Sequence, residues 1–314
     1  MSETFTGHRL DRWLKRTDPY KGLNLSQAHI EKLLRQKKIL VNGQKATAST
    51  RITEQDQVTL AKGLSLDFLR IPERPIPKTK AFVYSQEDIQ FLSTLILWED
   101  EEICVLNKPS GLAVQGGTGT TKHLDGLLQA YGRGQPFRLV HRLDKDTSGV
   151  LVVAKTLEKS IELAKAFQKG NIEKTYWALV EGLPKPAYGT IKASLSKDFE
   201  ESFEKMKVDP KKGKTAVTHY RLIKALGKKG AWVELQPQTG RTHQLRVHCS
   251  HIGHPIIGDV KYGAQKSSSG LCLHARSLKI PDISTGRGIT FTAPPPSHIQ
   301  DILKSFKVNW DLYT

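Results

Sequence analysis

The groups most able to do chemistry cluster in one stretch, His141-Arg142-Leu143-Asp144-Lys145-Asp146-Thr147-Ser148-Gly149. Asp144 stands between Arg142 and Lys145, and neighbouring cations favour an ionised carboxylate. A partly desolvated carboxylate can serve as a nucleophile in covalent catalysis, with no need of a metal or a nucleotide cofactor. Asp144 together with Asp146 is the acid–base alternative. The plainest reading is a solvated turn, because Asp, Thr, Ser and Gly all favour turns. The stretch lies between an apolar segment at residues 137–140 and the β-branched run Val150-Leu151-Val152-Val153-Ala154, which reads as a buried strand. Loops held by rigid strands are where catalytic groups tend to sit.

Three other constellations compete. His243, His248, His251 and His254, with Cys249, are rich in metal-binding types, but their spacing fits no zinc pattern and no second cysteine cluster completes one. Ser148 or Ser250 with a histidine would suggest a hydrolase, yet there is no Gly-x-Ser-x-Gly elbow. The glycine-rich Gly116-Gly117-Thr118-Gly119-Thr120-Thr121 fails the dinucleotide pattern, since Lys122 occupies the third glycine position. Gly213-Lys214-Thr215 fails the P-loop pattern at Val208. The sequence therefore implies no metal and no ATP, NAD or other cofactor.

Composition points to the partner. The 314 residues carry 48 Lys and Arg against 31 Asp and Glu, a formal charge of +17. Such a balance suits a polyanion, and nucleic acid is favoured over a membrane surface because no stretch nears 18 consecutive apolar residues. The N-terminus lacks a signal-peptide pattern. Three scattered cysteines imply no disulfide framework. The expectation is a cytoplasmic protein acting as a monomer without membrane association.

The positioning elements fall into three segments. Residues 1–62 read as a small basic module with 12 Lys and Arg against 6 acidic residues. Leu10, Trp13 and Leu14 share one face of a short helix, and Ile30, Leu33 and Leu34 share a face of a second helix capped by Ser26. Asn42-Gly43 marks a tight hairpin, and the extended run Val58-Thr59-Leu60 closes a small sheet. Arg9, Arg12, Arg35, Lys37, Lys38 and Lys45 are the candidate phosphate contacts. Residues 63–94, with Pro72, Pro75 and Pro77, read as a linker with a short helix over 86–92. Residues 95–314 form the catalytic segment. Its strands are numerous and do not alternate regularly with helices, which predicts an α+β fold. A helix from Thr156 to about Gln168 has Ile161, Ala164 and Phe167 on one face and stops at Gly170.

Two resemblances follow. Arg9-Leu10-Asp11, Ser26, Ile30, Leu33 and Lys38-Ile39-Leu40-Val41-Asn42-Gly43 resemble the RNA-binding domain of small-subunit ribosomal protein S-four. The stretch 141–151 resembles the signature of the Rlu-type (RluA-family) pseudouridine synthases. Asn107-Lys108-Pro109-Ser110-Gly111-Leu112 resembles their upstream motif, and Lys174-Thr175-Tyr176 their tyrosine motif. The run from Gly240 through His248, with Gly253-His254-Pro255-Ile256 and Gly258-Asp259, resembles their C-terminal motif. The order matches from about residue 95 to 295, and the RluC-like branch, which modifies large-subunit ribosomal RNA, is the most similar. The resemblance implies a mixed, largely antiparallel sheet and isomerisation of uridine to pseudouridine. It implies Asp144 as nucleophile, Tyr176 against the target base and helping remove its carbon-five proton, and Arg246 paired with Asp144. A flipped base leaves a gap in its stack, and a planar guanidinium can fill it. Arg142, two residues before Asp144, is the candidate for that role.

Overall fold

In the smaller unit, apolar residues spaced at three and four positions produce the helices that sequence periodicity predicts. The computed structural model describes all residues except 1–6, 18–19, 21–24, 26, 62–83, 117–121, 133, 199–204, 264–269, 282–287 and 314. It divides into two units, Met1–Ala81 and Phe82–Thr314. The smaller begins with β1 (His8–Arg9) and α1 (Leu10–Arg16), then α2 (Gln27–Arg35). Leu10 and Leu14 from α1 pack with Ile30, Leu33 and Leu34 from α2, all essentially buried. The proposed cap Ser26 lies outside the described residues. β2 (Ile39–Val41) and β3 (Gln44–Lys45) form the hairpin, with Asn42 and Gly43 at φ 52° and 74°. Those two positive φ values suit the right-handed twist of paired strands, which is why Asn-Gly occupies the turn. β4 (Arg51–Ile52) pairs with β1, and β5 (Val58–Leu60) pairs with β2.

The larger unit starts earlier than the proline-rich stretch suggests. α3 (Gln86–Thr94) is opened by a reciprocal capping box, in which Asp88 N–H donates to Ser85 Oγ and Ser85 N–H donates to Asp88 Oδ2. Leu92 of α3 is fully buried in the core of this unit, so residues 84–94 are not linker. β6 (Ile96–Glu99), β7 (Ile103–Lys108), α4 (Leu124–Tyr131), β8 (Arg138–Leu139), β9 (Ser148–Ala154) and α5 (Leu157–Lys169) follow. Then come β10 (Glu173–Glu181), β11 (Tyr188–Lys192), the hairpin β12 (Leu195–Asp198) with β13 (Lys205–Val208), β14 (Val217–Leu226) and β15 (Gly230–Pro237). α6 (Gln244–His251), β16 (Leu273–Pro281), β17 (Gly288–Thr292) and α7 (Ser297–Ser305) complete it.

Among the described residues, ten strands make one sheet in the order β11-β14-β15-β10-β16-β9-β7-β6, with β17 beside β16 and β8 beside β9. All pairs in it are antiparallel except β9 with β16. The fold is α+β, as the segment pattern predicts. All seven residues of β9 are buried. Leu151 and Val153 pack with Leu92, Leu124, Leu127 and Leu128, while Val150 and Val152 pack with Leu163. A strand covered on both faces needs a continuous apolar run, and each such side chain contributes about 1.5–3 kcal/mol on burial.

α5 is capped by Thr156 and ends at Gly170 in the left-handed region, as expected. Its buried face is a different one. Leu163 is buried, with Ala166 and Phe167 beside it, and Ile161 and Ala164 are exposed. Both sets have helical spacing, and the sheet selects the one that meets Val150 and Val152.

Candidate active site

β9 is shared unequally between its neighbours. It pairs with β7 from Gly149 to Ala154, but with β16 only at Ser148 and Gly149. The loop 140–147 therefore emerges where two sheet halves meet. Gly149 has φ 114°, and a Cβ there would lie 2.2 Å from the Ala275 carbonyl oxygen. Only glycine permits that approach. Next to it, the His274 Nε2–H donates to Ala293 O, leaving Nδ1 to accept from the Ser148 hydroxyl at 2.9 Å. This buried pair pins the junction.

Two further contacts fix the loop. The His141 Nε2 accepts the Val152 N–H at 3.0 Å, and the ring stacks on Phe167. Burial, helped by the Lys174 charge, pushes the His141 pKa down to about 3, so the ring is a neutral acceptor. From the other side, the fully buried Lys108 ammonium donates to the carbonyls of Pro109, Leu112 and Lys145 at 2.8, 2.8 and 3.0 Å. The Ser110 hydroxyl donates to Asp146 O, and Gly111 N–H donates to Lys145 O. The turn 108–112 thus clamps the backbone on the far side of Asp144. Burial pulls the Lys108 pKa down to about 8, against the pull of the Asp146 and Asp144 charges. Sequence reading gave this lysine no role. Its signal, a charged residue directly ending the apolar strand β7, was present but ambiguous.

Leu143 packs in the core, and it lines a cavity of about 570 Å³ together with Arg142 and Asp144. That falls within the roughly 300–1,000 Å³ typical of small-ligand sites. Tyr176, Lys174, Lys169, Arg241 and His243 line it too, and Asp146 does not. The carboxylate pair therefore reduces to a single carboxylate at the cavity. Among the described residues none donates a hydrogen bond to the Asp144 carboxylate. Arg142 is exposed at the same cavity.

Tyr176 sits in β10 at a register shift, between Leu235 of β15 and Ala275 of β16. Burial pushes its phenol well above the usual range, and the Asp144 charge adds to this. The side chain is a neutral phenol at physiological pH. Its place in the cavity wall suits contact with a base.

Arg246 corrects the sequence expectation. Its guanidinium is buried and donates through Nε and Nη2 to both oxygens of Asp259, each at 2.7 Å. Asp259 Oδ1 also accepts the N–H groups of Lys261 and Tyr262. Arg246 is not hydrogen-bonded to Asp144. Against the cost of burial, Asp259 and then the Asp144 charge raise the Arg246 pKa, so the two residues interact through charge alone. A bidentate fork needs a partner presenting two fixed oxygens, and the turn after Gly258 supplies one.

The histidine set is dispersed. The His248 Nδ1 meets the Thr218 hydroxyl, and the His254 Nδ1 meets Glu181 O. Among the described residues no group of three or more His, Cys, Asp or Glu could hold a metal ion.

In the smaller unit, Arg12, Arg35, Lys37 and Lys45 are exposed and Lys38 is half-buried. Arg9 is held by Asp11 at 2.8 Å, which keeps that carboxyl below its usual range. Lys37 takes φ 57°, turning the chain between α2 and β2.

Comparison with known proteins agrees with this architecture. Residues 102–251 match the family described as RNA pseudouridylate synthase, and residues 9–58 match the S4 domain. The chain is similar to the ribosomal large subunit pseudouridine synthase C of Rickettsia typhi, at 36% identity over 92% of this chain and 94% of the relative. The namesake from Rickettsia bellii is 36% identical over 94% of this chain and 96% of the relative. Among solved structures, human RNA pseudouridylate synthase domain containing 4 superposes with a TM-score of 0.60 at 27% identity, covering 70% of this chain and 96% of that one. Fold and site thus define an RNA pseudouridine synthase, an isomerase. The chain belongs to the RluA family of these enzymes and carries an N-terminal S4 domain. Among the described residues no helix is long and apolar enough to cross a membrane.

Proposed function

We propose that the protein isomerises specific uridines of large-subunit ribosomal RNA, with Asp144 as the nucleophile. The observation that carries this reading is Asp144 itself. It is clamped from both sides, lies at the cavity wall, and among the described residues is left without a hydrogen-bond donor. A carboxylate saturated by donors would be a poor nucleophile. The Arg246 charge acts near it without occupying its oxygens. The reaction moves one bond from N1 to carbon five of the base and one proton from carbon five to N1. Substrate and product share a formula, so the balance calls for no cofactor.

The target uridine has to leave its stack, at a cost of a few kcal/mol. Arg142, exposed at the cavity two residues before Asp144, fills the gap with its planar guanidinium and holds phosphate. Tyr176 lies against the flipped base. Arg246 acts through Asp144. Arg9, Arg12, Arg35, Lys37, Lys38 and Lys45 hold the RNA backbone outside the cavity. The names of the Rickettsia relatives support the large-subunit substrate. The three cysteines are buried free thiols, which supports a reducing, cytoplasmic setting.

The test is Asp144→Asn. The variant should bind unmodified large-subunit ribosomal RNA with parent affinity and form no pseudouridine in it. Pseudouridine at parent levels would overturn the mechanism.

A further inference from the structure

His243 has an unusual backbone. It precedes α6 with φ 52° and ψ 19°, in the left-handed region that side chains seldom adopt. The other described non-glycine residues with positive φ are Lys37, Asn42 and Lys307. Each of these turns the chain after a helix or within a hairpin. His243 instead stands at the start of a helix, in the wall of the cavity that holds Asp144 and Tyr176. Strain of this kind persists where the surrounding structure imposes it.

The His243 side chain is held by Tyr262. The His243 Nδ1 lies 2.7 Å from the Tyr262 hydroxyl, and the rings meet edge to face. That hydroxyl already accepts the Met206 N–H at 2.9 Å. Its own hydrogen is then available for donation to Nδ1. Burial pushes the Tyr262 phenol up to about 12, so the proton stays on the oxygen. With Nδ1 used as an acceptor, the imidazole carries its hydrogen on Nε2. Among the described residues Nε2 has no partner, and it is the nitrogen left for the cavity. Tyr262 is itself held by the Arg246–Asp259 pair. Its N–H donates to Asp259 Oδ1, and the Arg246 guanidinium lies 5.3 Å from its ring. One hydrogen-bonded network therefore links Arg246 and Asp259 to His243 through Tyr262.

The charged groups facing the imidazole are Asp144 and Asp259, which favour its cation, and Arg246 and Lys261, which oppose it. Burial is the largest influence and keeps the ring neutral. A neutral donor suits this chemistry. When the bond from C1′ to N1 breaks, its electron pair leaves on the uracil and spreads over N1, O2 and O4. The pair returns through carbon five to C1′, and the carbon-five proton is lost to solvent as N1 regains one. A fixed hydrogen bond to a carbonyl oxygen stabilises the detached base, and an uncharged donor does so without neutralising Asp144.

We propose that His243 donates an Nε2 hydrogen bond to a carbonyl of the target uracil, in a tautomer fixed by Tyr262. This rests on the reading of Asp144 as the covalent catalyst. The first measurement needs no variant. Histidine ¹⁵N shifts of the full-length enzyme should show His243 protonated at Nε2 at neutral pH, and protonation at Nδ1 would overturn the proposal. The second uses steady-state kinetics on unmodified large-subunit ribosomal RNA. His243→Phe keeps the ring volume and removes the donor, so kcat should fall about 10²–10³-fold with KM changed by less than about threefold. His243→Gln restores an N–H and should recover about tenfold of that loss. A kcat at parent level in His243→Phe, or a loss confined to KM, overturns the inference. Should Asp144→Asn be inactive while His243→Phe turns over normally, the reading of Asp144 stands and only this inference falls. Activity in Asp144→Asn would remove both.

Discussion

Asp144 and Asp259 are the same residue type acting on the same arginine, and the fold treats them oppositely. Asp259 is fully buried and saturated. It takes both prongs of Arg246 and two backbone N–H groups. Asp144 lies at the cavity wall, influences Arg246 only through charge, and receives no protein donor among the described residues. The difference is between a carboxylate used as a structural joint and one kept available. Hydrogen bonds stabilise a carboxylate and make it a weaker nucleophile, so one site cannot serve both ends. Around Asp144 the donors are spent on backbone instead. Lys108, Ser110 and Gly111 hold the carbonyls of Lys145 and Asp146, and leave the side chain alone.

The sharpest way to break this comparison is to change each aspartate and read activity and stability separately. Asp144→Asn should cost about 10⁴-fold or more in kcat, with thermal stability unchanged or raised. A stability loss matching the activity loss would mean that Asp144 is also a joint. Asp259→Ala should do the reverse at the level of the fold. Leaving Arg246 buried without its partner costs about 3–5 kcal/mol, measurable by urea unfolding. A change below about 1 kcal/mol would show the pair to be dispensable.

The clamp gives a pH test. Lys108 is depressed to about 8, below its unfolded value. Below pH 8 the ammonium supplies three hydrogens to three carbonyls. As pH rises through 8 one hydrogen is lost, the clamp on Lys145 O weakens, and kcat should fall about tenfold per unit. The sign for stability is opposite. The unfolded chain binds the proton more tightly, so this group contributes rising stability between pH 8 and its unfolded pKa. A kcat profile that stays flat to pH 9.5 would separate the clamp from catalysis. The smallest expected effect lies in the other unit. Arg35→Ala with Lys37→Ala should weaken binding to large-subunit ribosomal RNA a few-fold and reduce the salt slope by about one to two. Pseudouridine formation on a short RNA should be unaffected. An unchanged salt slope would mark these cations as solvated surface.

Much of this was legible in the sequence because the patterns involved are local. The run 150–154 announced a buried strand, Asn42-Gly43 a hairpin, and Thr156 with Gly170 the ends of α5. The α4 helix was missed although Leu124, Leu127 and Leu128 have helical spacing and are all buried. Its N-cap is His123, outside the usual Ser, Thr, Asp or Asn set, which removed the signal. The linker reading extends to residue 94 because Pro72, Pro75 and Pro77 favour an extended chain, whereas the Ser85 capping box and buried Leu92 belong to the larger unit.

The sequence by itself determined which residues could react and which segment would carry them. Asp144 between two cations, after one strand and before another, follows from composition and period alone. Only the tertiary structure decided what each charged group is used for. Arg246 chose Asp259 over Asp144, Lys108 reached the carbonyl of Lys145, and Tyr262 met the imidazole of His243. These partners lie 13 to 37 residues apart in the chain. Periodicity reports which face a residue occupies, and says nothing of what the sheet brings opposite that face. Hydrogen-bond partners at such separations are set by strand order and register, and those are fixed only when the whole core packs.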